Sequence, residues 1–283
     1  MMNRVQLYQH VSQRCSRTIT QHYSTSFSAA IRMLHRELRY PICAIYGFVR
    51  VADEIVDSFH DYDKAALLRQ FEEATHQAIA QQISTNPVLQ AFQQTVHRYH
   101  IPQELIDAFF RSMYLDLEKH TYRQRDELQT YVYGSAEVVG LMCLCVFCDG
   151  DMDLYASLKE SARALGSAFQ KVNFLRDIQA DYQELNRSYF PAFAYKGYLD
   201  EEAKREIETD IEQEFAQGLQ GIKRLPARSR FGVYVAYRYF YALFRKIQRT
   251  SPDKIMQRRI RIPNRSKLMI MLRACIRHQL NMI

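Results

Sequence analysis

The chain has 283 residues, 47% of them hydrophobic, and a formal charge of +7. Nine glycines and seven prolines are too few for a loop-rich or all-β protein of this length. The basic balance suits an anionic partner such as a diphosphate, a lipid headgroup or a nucleic acid, and does not choose among them.

The first predicted helix covers 5–20 and contains no continuous apolar run, so no secretory signal is expected. A helix over 38–58 follows, with Pro41 in its first turn. Helices over 62–82, 87–99 and 102–119 come next, the last two opened by Asn86-Pro87 and Ile101-Pro102. The segment 126–148 contains the longest nearly unbroken apolar stretch, Val138 to Cys148, which falls short of the roughly 20 residues of a membrane span. In it Tyr131, Ser135, Val139 and Met142 share one helical stripe, small or flexible enough to wall a cavity. A long helix over 151–182 leads to a loop marked by Pro191 and Gly197, and helices over 200–221, 228–249 and 265–280 complete the chain. No Gly/Ser-rich linker or strand-length alternation interrupts this pattern, so one all-α domain spanning 1–283 is expected.

Six cysteines, Cys15, Cys43, Cys143, Cys145, Cys148 and Cys275, show neither a disulfide framework nor metal-binding spacing. A helix sends Cys143 and Cys145 to different faces. They read as small core residues in a reducing compartment, and the expected location is the cytoplasm.

Two segments carry the chemistry. In CAIYGFVRVADEIVD, Tyr46, Arg50, Asp53 and Asp57 are spaced 4, 3 and 4 and form one stripe on an otherwise apolar helix. In GSAFQKVNFLRDIQAD, Gly166, Gln170, Asn173, Asp177 and Asp181 form a similar stripe. Carboxylates at i and i+4 repel, and a buried one without a partner is costly. One such pair could belong to a solvated face. Two pairs on apolar helices, with Arg50 and Arg176 beside them, point instead to a shared cavity holding cations and a polar ligand. Hard oxygen donors favour Mg²⁺ over zinc. No Gly-rich phosphate loop is present, so phosphate would be held through metal, arginine and lysine.

Together with YSTSF (Tyr23 to Phe27), YVYGSAEVVG (Tyr131 to Gly140) and RSYFP (Arg187 to Pro191), these segments resemble the squalene/phytoene synthase family over nearly the whole chain, and its bacterial phytoene-forming members most of all. The resemblance implies an isoprenoid-synthase helical bundle around a central cavity. It also implies head-to-head condensation of two geranylgeranyl diphosphates, through a cyclopropyl diphosphate, to phytoene in carotenoid biosynthesis. Squalene or dehydrosqualene formation from farnesyl diphosphate is the alternative chemistry, and a non-catalytic relative acting as an assembly or binding protein is the alternative class.

By the same resemblance Asp53, Asp57, Asp177 and Asp181, joined by Asn173, hold Mg²⁺, with Mn²⁺ as a substitute. Arg50, Arg176 and Arg187 handle diphosphate, and Ser24 and Ser26 belong to a flap over it. Gln170 stands beside the second aspartate pair, and Tyr131 and Tyr189 lie near the reacting centre. Tyr241 and Arg259 are further substrate contacts. Glu54 replaces a common Asp and is expected off the Asp53/Asp57 stripe. Glu137 stands where a small residue is usual. The partners implied are prenyl diphosphates, with no nucleic acid. The basic run Arg258, Arg259, Arg261, Arg265 and Lys267 reads as a solvated charge run, a patch for peripheral attachment to the inner face of a membrane, or a lid.

Overall fold

A computed structural model describes residues 3–184 and 186–279. Helix α1 (Arg4–Tyr23) begins on a capping box in which Asn3 and Gln6 satisfy each other's backbone amides. After a single residue, Ser24, α2 (Thr25–Arg32) begins, and the Ser24 hydroxyl accepts from the Phe27 amide at 3.1 Å. Helix α3 (Arg36–Asp57) starts two residues earlier than expected, which places Pro41 inside the helix rather than in its first turn. Helices α4 (Lys64–Gln81), α5 (Pro87–Tyr99) and α6 (Gln103–Glu118) match the spacing read from the sequence.

Helices α7 (Arg125–Val132) and α8 (Val138–Cys148) are one continuous run interrupted by a π turn, Tyr133–Glu137. The extra residue of the π turn shifts the register of everything beyond it. Val139, Gly140, Cys143 and Leu144 therefore face the cavity. Met142, expected on that wall, is fully buried in the core instead. The whole run spans 24 residues and is apolar enough by composition to cross a membrane, which corrects the shorter estimate from Val138 to Cys148. It forms a central wall of the protein, with Leu141, Met142 and Val146 wholly buried.

Helix α9 (Met152–Glu184) is the longest at 33 residues. It is followed by the short α10 (Pro191–Lys196), then α11 (Glu201–Arg224), α12 (Ala227–Gln248), the short α13 (Pro252–Gln257) and α14 (Asn264–Gln279). Residue 280, the expected end of the last helix, lies outside the described residues. Among the described residues the only strand-like pairing is a bridge between Thr121 and Ser188. It ties the α6–α7 loop to the segment after α9, with Tyr122 and Ser188 amides donating to Ser188 and His120 carbonyls at 2.9 and 2.7 Å.

The core has two parts. One centres on Phe48, whose ring stacks on Phe92 at 3.9 Å and meets Phe109 and Phe110 at 5.3 and 5.6 Å. The other surrounds Phe215 and Phe244, where α9, α11 and α12 meet. The cavity runs along the seam between them. Its tight side is the crossing of α8 and α9: a Cβ at Gly166 would lie 2.9 Å from the Ala136 carbonyl oxygen, and one at Gly140 would lie 3.0 Å from that of Ala162. Glu137 does not obstruct this crossing, because its carboxylate pairs with Arg163 at 2.7 Å.

Phe48→Ala removes the centre of the first core and is expected to cost about 3–5 kcal/mol. Urea unfolding of the variant measures this, and a loss below about 1 kcal/mol would contradict so central a role.

Candidate active site

The two aspartate stripes arrive in one place. A cavity of about 430 Å³ is lined by Asp53 and Asp57 from α3 and by Gln170, Asn173, Asp177 and Asp181 from α9. From this acidic mouth it continues between apolar and small side chains, among them Val49, Val139, Cys143, Ala162 and Gly218, toward Leu34, Phe147, Leu158 and Leu225. A second chamber, of about 590 Å³, opens beside the mouth. It shares Phe27, Tyr46, Arg50, Asn173 and Asp177 with the first and adds Ser24, Ser26, Arg176, Arg259, Arg261 and Lys267. An apolar tunnel thus meets a basic antechamber at a row of carboxylates.

The electrostatics follow from this crowding. Burial pushes the Asp53 carboxyl up to about 7, Arg50 pulls it back in part, and Asp57 adds repulsion. The quarter of the Asp53 side chain that remains accessible belongs to a group lining the cavity. Asp181 is likewise raised to about 7 by burial and by Asp177. Cations offset the repulsion. Arg50 lies 3.6 Å from Asp53 and 3.8 Å from Glu54, so Glu54 shares this arginine although it stands off the stripe. The Arg50 guanidinium also sits over the rings of Tyr23 and Tyr46 at 5.2 and 5.8 Å. Arg176 and Arg259 both hold Asp177, at 2.5 and 2.7 Å.

Arg187 is the most enclosed cation of the site, 6% exposed. Its Nη1 donates to Asp57 at 2.7 Å and its Nη2 to the Asp116 carbonyl at 2.9 Å. Its own amide donates to the Asp181 carbonyl at 2.8 Å. The Asp116 carboxylate lies 3.6 Å from Nη1 and accepts from the Tyr131 hydroxyl at 2.8 and 2.9 Å. Burial pushes Asp116 up to about 7, with Arg187 opposing. Tyr131 is held well above the usual phenol range, first by burial and then by Asp116, so it stays protonated and donates.

Above this group lies an aromatic stack. Tyr131 and Tyr189 are 5.4 Å apart, Tyr189 and Phe174 are 3.9 Å apart, and Tyr122 closes the outer side. A second aromatic group, Phe27, Phe169 and Phe240, lines the junction of tunnel and antechamber, with Phe169 and Phe240 in contact at 4.0 Å.

The site residues that the resemblance implies line one or other of the two chambers, except Tyr241. It stacks on Tyr237 and meets Phe215 edge to face along the α11–α12 seam, and its hydroxyl approaches Glu212 at 3.4 Å, away from both chambers. Its neighbours Tyr239 and Phe240 are the α12 aromatics in the antechamber. Lys267 and Arg261, named from the sequence only as part of a basic run, line the antechamber, whereas Asp116 was missed. A lone carboxylate between Leu115 and Leu117 was the available signal for Asp116, and it is weak.

The donor set fits a hard divalent cation. It consists of oxygen ligands only, two carboxylates from each helix, and Asn173 Oδ1 is buried without a hydrogen-bond partner. Among the described residues no three His, Cys, Asp or Glu side chains form a closed metal cage. Mg²⁺ does not require one, since it typically binds one or two carboxylates and completes its shell with phosphate oxygens and water.

Fold and site together describe a prenyltransferase-type enzyme. The sequence model of squalene/phytoene synthase matches residues 20–266, and the chain belongs to that family. It is 28% identical to phytoene synthase 3 of Zea mays over 93% of this chain, although it covers only 65% of that protein. It is 27% identical to a phytoene synthase of Arthrospira platensis, over 92% of this chain and 91% of the relative. Among solved structures, a dehydrosqualene synthase in complex with ligand superposes with a TM-score of 0.82 at 19% identity, covering 97% of this chain and 98% of the other.

Asp116→Ala leaves the Tyr131 hydroxyl without its acceptor and a buried arginine short of one carboxylate. The expected cost is about 3–5 kcal/mol in urea unfolding, with Asp116→Asn clearly milder because it keeps an acceptor for Tyr131. Equal stability of Asp116→Ala and the unsubstituted protein would show that the network is not structural.

Proposed function

We propose that this enzyme condenses two geranylgeranyl diphosphates head to head to phytoene. The observation that carries the reading is the single tunnel, acidic and basic at its mouth and apolar along its length. Asp181 and Leu158, at opposite ends of its α9 wall, are twenty-three residues apart, about 35 Å along the helix at 1.5 Å per residue. Small side chains such as Ala30, Gly140, Ala162 and Ala236 line much of the way. This length leaves room for an extended C20 tail.

Asp53, Asp57, Asp177, Asp181 and Asn173 would hold Mg²⁺. Bound there, it would supply Lewis-acid charge to the departing diphosphate. Arg50, Arg176, Arg259 and Lys267 orient the diphosphates in the antechamber, with the hydroxyl of Ser26 beside them. When the C–O bond of one substrate breaks, an allylic cation forms in a dry space lined by Phe27, Phe169, Phe174 and Tyr46, whose π faces stabilise it without adding to it. The double bond of the second substrate captures the cation, and loss of one proton leaves a cyclopropyl diphosphate. Loss of the second diphosphate lets the ring open and rearrange, and loss of a further proton gives the hydrocarbon. Tyr131, kept protonated by burial and by Asp116, cannot act as a phenolate nucleophile toward either cation.

Incubation with geranylgeranyl diphosphate and Mg²⁺, without NADPH, is expected to yield phytoene. A C30 product from farnesyl diphosphate as the preferred reaction would overturn the substrate assignment. Asp53→Asn and Asp177→Asn are each expected to lower turnover by on the order of 10²–10³-fold or more. The metal assignment has a second readout, since Mg²⁺ with inorganic diphosphate should raise the thermal midpoint of the unsubstituted protein and not of these variants. Cys143→Phe places a ring inside the tunnel twelve residues beyond Tyr131. It is expected to reduce kcat/KM for the C20 substrate at least about tenfold while sparing the C15 substrate.

A further inference from the structure

Helix α14 has two unlike faces. One side rests on α12: Ala274 is 1% exposed, and the His278 ring stacks on Phe231 with centroids 4.6 Å apart. On the other side Leu268, Met269, Leu272 and Ile276 are each about half exposed, at 53%, 51%, 47% and 56%. At 3.6 residues per turn these four fall within about 100° of arc, so they make one apolar ridge rather than scattered residues. Arg273 and Arg277, both exposed, flank the ridge, and Arg265 stands exposed near its start.

This end of the chain is strongly basic. Residues 254–283 contain eight of the 38 basic side chains and none of the 31 acidic ones, so the remaining 253 residues have a formal charge of −1. An apolar ridge with basic flanks on a helix lying along the surface is the arrangement that binds an anionic bilayer, with apolar side chains among the acyl chains and arginines at the headgroups.

We propose that this face of α14 is a docking surface for an anionic lipid bilayer. The helix lies beside the antechamber. Lys267, from its first turn, lines that chamber and donates to the Thr25 hydroxyl at 2.8 Å, between Ser24 and Ser26. A bilayer held by α14 therefore lies next to the chamber where a diphosphate head would sit, and a polyprenyl tail partitions into that bilayer. The surface itself does not depend on the catalytic reading, and vesicle binding is measured without substrate or metal.

The full-length protein is mixed with phosphatidylcholine vesicles or with vesicles containing phosphatidylglycerol, and bound protein is separated by flotation. Binding is expected to the anionic vesicles at low salt, to weaken as salt rises, and to be slight on phosphatidylcholine alone. Arg273→Gln/Arg277→Gln is expected to weaken partition roughly thirtyfold, since each basic side chain at an anionic surface is worth about a factor of five. Leu268→Ser/Leu272→Ser is expected to weaken it at least about tenfold. Both variants change exposed side chains and should keep the circular dichroism and thermal midpoint of the parent. Absence of binding by the parent, or undiminished binding by both variants, overturns the proposal. So does a parent that sediments as a dimer while Leu268→Ser/Leu272→Ser sediments as a monomer, because the ridge would then be an interface between two copies of the chain.

Discussion

Carboxylates that repel one another have to be gathered at the end of an apolar tunnel, and the arginines around them make that arrangement foldable. Arg187 does the most. Through its guanidinium it bonds Asp57 on α3 and the Asp116 carbonyl on α6, and through its amide it bonds the Asp181 carbonyl on α9. One side chain and its own backbone therefore fix the relative positions of three helices around the acidic mouth. The segment bearing it is held in turn by the Thr121–Ser188 bridge, so this single pairing matters beyond its size. A cation buried this deeply would be expensive on its own. Here it is offset by the Asp57 and Asp116 carboxylates and by the Asp116 carbonyl.

The same separation of polar and apolar surface organises the site. A leaving diphosphate needs cations and donors around it, whereas an allylic cation needs the opposite, a dry space with no nucleophile within reach. The cavity provides both within one seam because it runs between two cores. Polar stripes on α3 and α9 meet at one end, and their apolar continuations, Ile42 and Ile45 on one side and Leu165 and Leu158 on the other, form the walls beyond. Periodicity makes this possible. A helix that keeps the same face toward the cavity along its length can carry carboxylates for two turns and hydrocarbon for the rest.

That periodicity explains what was legible in the sequence. The stripes of Tyr46, Arg50, Asp53 and Asp57, and of Gln170, Asn173, Asp177 and Asp181, are local patterns, and local patterns survive folding. Features that depend on distant contacts did not show. Asp116 matters only because Tyr131 and Arg187 reach it from fifteen and seventy-one residues away. The π turn that moves Met142 off the cavity wall leaves no mark in the hydrophobic pattern. Helices α2, α10 and α13 have eight, six and six residues, too few turns for a repeat to be counted. Tyr241 was carried over from the resemblance in a divergent part of the chain; α12 has aromatic residues on several faces, and the face that bears Tyr241 lies away from both chambers.

The basic run near the C-terminus could be read three ways from sequence, and the fold divides it by residue. Arg259 and Lys267 turn inward, one onto Asp177 and the other onto Thr25 at the edge of the antechamber. Arg265, Arg273 and Arg277 stay outside along the apolar ridge of α14. The division follows from helix geometry: Lys267 lies on the side of α14 that carries the buried Ala274, and the ridge lies on another. One segment therefore carries basic side chains in two directions, toward the antechamber on one side and along the proposed lipid-docking ridge on the other.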